Sequence, residues 1–116
     1  MDSDQTPDDG RDKPMVDLFG KILVEAKNTV EVWGGKLYFV YLPMWHQYAS
    51  GQERNRNRQM VLQAVRALGL PIVDVHQAFA AQKHPLDLFP FKLQGHYTEL
   101  GNRILADYIL QSISVP

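Results

Sequence analysis

The sequence predicts an α/β protein in three layers, a parallel sheet with helices on both faces. Three observations predict it. Apolar residues recur at three- and four-residue steps over long stretches, short continuous apolar runs lie between those stretches, and glycine or proline marks the junctions. Helical periods alternating with buried-strand runs read as strand–helix–strand units of a parallel sheet.

Composition bounds the rest. A chain of 116 residues supplies one domain, and its 45% hydrophobic and 22% charged content is ordinary for a globular protein. The net charge of −1 gives no bulk electrostatic case for nucleic acid or an anionic membrane. The absence of cysteine excludes disulfides, thiolate metal sites and a cysteine nucleophile. No apolar run approaches the ~20 residues of a spanning helix, so a soluble chain without membrane insertion is expected, its compartment unassigned.

Residues 1–14 carry Asp2, Asp4, Asp8, Asp9 and Asp12 with no apolar side chain after Met1, and are expected to be a disordered acidic tail. Residues 15–116 form the folded segment. Met15, Leu18, Phe19, Ile22, Leu23, Ala26, Val30 and Trp33 make one apolar stripe of a first helix, stopped by Gly34-Gly35. Lys36 to Leu42 reads as a strand buried on both faces, ended by Pro43. After a loop to Arg54, a second helix presents Met60, Val61, Ala64, Val65 and Leu68 and ends at Gly69. Ile72 to Val75 is the second buried strand, completing a right-handed βαβ unit. A short helix over 77–82 and a proline-punctuated loop lead to the last helix, Thr98 to Ser112, with Thr98 as its N-cap.

Ligands of open parallel sheets bind beyond the carboxyl ends of the strands. The loop after Leu42, the residues after Val75 and the loop carrying His96 all fall on that edge. In the first loop, Trp45 and Tyr48 are candidate lining residues of a substrate pocket, and Phe89-Pro90-Phe91 reads as a hydrophobic clasp. The run Arg54 to Arg58 reads as a solvated first turn. His46, His76, His84 and His96 share no helix face at metal-binding spacing, so neither a metal nor a cofactor is expected.

The segments LYFVYLP, PIVDVHQAF and DLFPFKLQGHYTELGNRILADYIL resemble the C-terminal part of an SGNH/GDSL-type hydrolase, most specifically over Pro85 to Ala106. That resemblance implies an SGNH hydrolase-like, flavodoxin-like three-layer fold, here incomplete, and an ester hydrolase or acyltransferase activity on acyl esters or acylated carbohydrates. It assigns His96 the role of general base, a task suited to imidazole because it titrates near neutral pH. The position three residues before it, where the resemblance implies an orienting acid, holds Leu93. Asp87 or Asp74 is left as candidate, or no carboxylate at all. None of Ser3, Ser50, Ser112 and Ser114 lies in a nucleophile setting. The chain is therefore expected to contribute the histidine without the serine, and to be inactive alone. The alternative is a non-catalytic binding or interaction module derived from that fold. The incomplete sheet is expected to self-associate or to pair with a missing N-terminal half.

Overall fold

A computed structural model describes residues 12–49 and 56–113. Helix α1 (Asp12–Val32) is followed by strand β1 (Phe39–Tyr41), α2 (His46–Ala49), α3 (Arg56–Ala67), β2 (Ile72–Asp74) and α4 (Val75–Ala80). Two 3-10 turns, Pro85–Leu88 and Pro90–Lys92, then lead into α5 (Glu99–Ile113). The chain divides into two compact units. Of the described residues, 12–39 and 56–72 belong to the first, and 40–49 and 73–113 to the second.

In the first unit α1 packs on α3, and Leu62, Val65 and Leu70 are buried. Phe19 meets Phe39 edge-on with ring centroids 5.8 Å apart. The ammonium of Lys27 donates to the carbonyl of Leu68 at 3.0 Å, just past the end of α3. Both helix stops come out as glycine chemistry dictates. Gly34 and Gly69 sit at φ +80° and +72°, a left-handed conformation that side-chain-bearing residues resist.

In the second unit α4 packs on α5, and Val73, Val75, Phe79, Leu88 and Phe89 form the buried core. Thr98 caps α5: its hydroxyl accepts from Gly101 N at 3.0 Å, satisfying one of the helix's open donors. Its own N–H donates to the Leu88 carbonyl at 2.8 Å. Gly101 lies against that same carbonyl, so near that a Cβ would stand 2.8 Å from it.

The expected three-layer, flavodoxin-like sheet is not present. Helix takes 67% of the described residues and strand 6%, and the only sheet among them is a parallel pair of three-residue strands. Alternating helical and strand-like patterns report that strands exist, but not how many join one sheet. Three layers need a sheet wide enough to bury a helix on each face, and two short strands offer no such surface. Accordingly Phe39, Val40 and Tyr41 are half-buried rather than buried on both faces. The α1 stripe is also largely open, with Met15 73% exposed and Leu18, Ile22 and Trp33 exposed as well. The run at Lys36 to Leu42 contracts to three paired residues, and the loop after Pro43 contains α2. Residues 12–14, expected to belong to the disordered tail, lie within helix α1. The remainder of the expected tail, residues 1–11, lies outside the described residues.

Candidate functional site

The chain approaching α5 is fixed on one side of His96 and open on the other. Downstream, Thr98 is tied to Leu88 and to the first turn of α5. Next to His96, the Tyr97 ring is wedged edge-on between Phe79 and Phe89, with centroids 5.0 and 5.5 Å away. Its hydroxyl donates to the carbonyl of Pro43. Burial, with a smaller contribution from the Tyr41 phenol, pushes the Tyr97 hydroxyl up to about 12. Tyr97 is thus a neutral donor at any physiological pH, holding the loop after β1 to the start of α5.

The sign of that shift gives a prediction. Below the ordinary phenol value of about 10 the folded and unfolded chains both keep this proton, and it adds no pH dependence. Between about 10 and 12 the unfolded chain releases the proton that the fold retains, so stability falls as pH rises through that window. Melting temperatures of wild type and Tyr97→Phe across alkaline pH should show a shallower decline for the variant. Equal slopes would mean that Tyr97 is not held as described.

The imidazole of His96 is exposed and lines a cleft of about 690 Å³ with Leu42, Met44, Trp45 and Asn102. Trp45 is oriented there by its indole N–H, which donates to the Lys92 carbonyl at 2.9 Å. That carbonyl belongs to a strained segment. Phe91 and Lys92 stand at φ +56° and +58°, a left-handed conformation uncommon for side-chain-bearing residues, and the Phe91 ring is 94% exposed. Of the expected clasp, Phe89 is core and Phe91 points into solvent.

The four predicted site residues fall into two pairs. His96 and Trp45 share the cleft just described; Asp87 and Tyr48 share another, of about 410 Å³. Asp87 sits in the first 3-10 turn with Oδ1 3.5 Å from the Lys92 ammonium, and no hydrogen bond joins it to His96 among the described residues. The Tyr48 hydroxyl is hydrogen-bonded to His76 Nδ1 at 2.8 Å, and their rings stack at 5.5 Å. Asp74, the other candidate acid, is buried at the end of β2 and lines neither cleft.

Around His96 the described lining contains no serine, threonine, cysteine or carboxylate. Ser112 is the one described serine, and its hydroxyl donates back to the Tyr108 carbonyl within α5. The arrangement sets an imidazole beside a flat indole wall, and its described lining holds no serine, threonine or cysteine nucleophile. Among the described residues no group of three or more His, Asp or Glu is placed to hold a metal ion, and no helix is long and apolar enough to cross a membrane.

Sequence reading missed the buried residues behind the second cleft, Gln47 and His76. Gln47 lies in a four-residue helix, too short to show a period. No family model matches the chain, and neither a curated protein nor a solved structure matches it.

Proposed function

We propose that this chain supplies the general base of a carboxylic-ester hydrolase or acyltransferase of the SGNH/GDSL type, the hydroxyl nucleophile coming from outside the described residues. The observation that carries the reading is the placement of His96. Its ring stands open at a cleft just beyond β1, two residues ahead of the capped start of α5. There it would take the proton of an attacking serine hydroxyl and return it to the leaving alkoxide. Trp45, held by the Lys92 carbonyl, offers a flat apolar wall of the kind an acyl chain or sugar ring packs against. With no serine, threonine or cysteine in the described lining of this cleft, the chain alone is expected to turn over no ester.

The test is hydrolysis of fluorogenic short-chain esters by the chain alone and co-expressed with the polypeptide encoded immediately upstream. Turnover is expected only in the second case, and His96→Ala should lower it about 10²–10⁴-fold, the contribution of a positioned base. Turnover that survives His96→Ala would overturn the assignment.

A second reading, a non-catalytic binding module, is favoured by the lack of any serine, threonine, cysteine or carboxylate in the described lining of the His96 cleft. Folded protein with no turnover in either arrangement would leave that reading in place.

A further inference from the structure

The second cleft carries an inference that does not rest on the role given to His96. We propose that the cleft formed by Gln47, Tyr48, His76, Lys83, Asp87 and Lys92 binds a small monocarboxylate with a short apolar tail. Gln47 is the first reason. It is only 3% exposed, and its Oε1 accepts from Met44 N at 2.6 Å, which fixes which end of the amide is oxygen. The other end, Nε2, is a buried donor with no partner among the described residues. Buried donors are almost always satisfied, and an unsatisfied one at the wall of a cavity calls for an acceptor.

Charge decides what kind of acceptor. Two ammonium groups, Lys83 and Lys92, face one carboxylate, Asp87, which is already engaged by Lys92 at 3.5 Å. Lys83 makes no ion pair among the described residues, so the described lining carries one positive charge left over. A single surplus charge and a single unpartnered amide donor suit a monoanion better than a phosphate dianion. Shape decides the remainder. The volume of about 410 Å³ is that of a small-molecule site. Ala80, Pro85 and Leu86 give part of its lining an apolar surface on which a short alkyl chain can rest.

Butyrate is a suitable probe, with inorganic phosphate and butanol as comparisons, titrated into the full-length ¹⁵N-labelled chain. The side-chain amide of Gln47 gives its own pair of NMR signals, and these are expected to shift saturably with butyrate and little with the other two. Lys83→Glu, at an exposed position, should leave the spectrum of the free protein in place. It should weaken butyrate about tenfold or more, as expected for losing one charged contact. Gln47 signals that stay still while those of Lys83 move would reduce the interaction to surface ion pairing and overturn the proposal. Equal shifts with phosphate, or with butanol, would overturn the assignment to a carboxylate with an apolar tail.

Discussion

Replacing Phe79 by alanine is expected to destabilise the second unit by about 3–5 kcal/mol, the range for removing a fully buried aromatic ring. Phe79 has no exposed surface. Its ring meets three others, Tyr97 at 5.0 Å, Phe89 at 6.2 Å and Tyr48 at 6.3 Å. The edge-to-face pairs with Tyr97 and Phe89 add to the burial energy, and the space left behind cannot close without moving α4 or α5. The loss is a large part of the ~5–15 kcal/mol that holds a typical domain folded. Urea denaturation followed by the fluorescence of Trp45, which lies in the same unit, in a Trp33→Phe background is the measurement. Phe79→Leu should recover most of the loss. A loss below about 1 kcal/mol for the alanine variant would mean that the ring cluster does not hold this unit together.

The second large effect is expected at Gly101, in α5. Alanine is ordinarily the better helix former, so propensity alone predicts a gain from Gly101→Ala. Close approach reverses the sign. The new methyl would stand 2.8 Å from the Leu88 carbonyl oxygen and 3.0 Å from Tyr97 Cβ. The carbonyl cannot swing away freely, because it accepts the Thr98 N–H that anchors the start of the helix. A destabilisation of about 1–3 kcal/mol is expected, as for other overpacked sites. Gly20 is the natural comparison: it lies inside α1 with nothing within 4 Å of an added Cβ. Gly20→Ala should therefore stabilise by about 0.5–1 kcal/mol. Denaturation midpoints of the two variants moving in opposite directions would establish the contact. A gain at both positions would refute it.

How much of this was legible in the sequence follows the range of the forces involved. Helix stops at Gly34 and Gly69 depend on one residue's backbone freedom, and the Thr98 cap on a hydroxyl reaching a donor three residues on. Such features lie in the local string and came out as read. The width of the sheet depends on which strands find one another, and the expected layered architecture fails there. The site shows the same division. That His96 stands ahead of the last helix was readable. That Trp45 would join it, while Tyr48 and Asp87 went elsewhere, was not. Those placements rest on the Trp45–Lys92 and Tyr48–His76 contacts, 47 and 28 residues apart in the chain. No periodicity encodes contacts of that span.

The Lys27–Leu68 contact has a consequence for how the first unit responds to its surroundings. The carbonyls at the end of α3 carry the negative pole of that helix, and the group that neutralises it is borne by α1. Part of the adhesion between the two helices is therefore charge against dipole rather than oil against oil. A kosmotropic salt such as sulfate shields the former and strengthens the latter, so the pairing draws on two forces that such a salt moves in opposite directions.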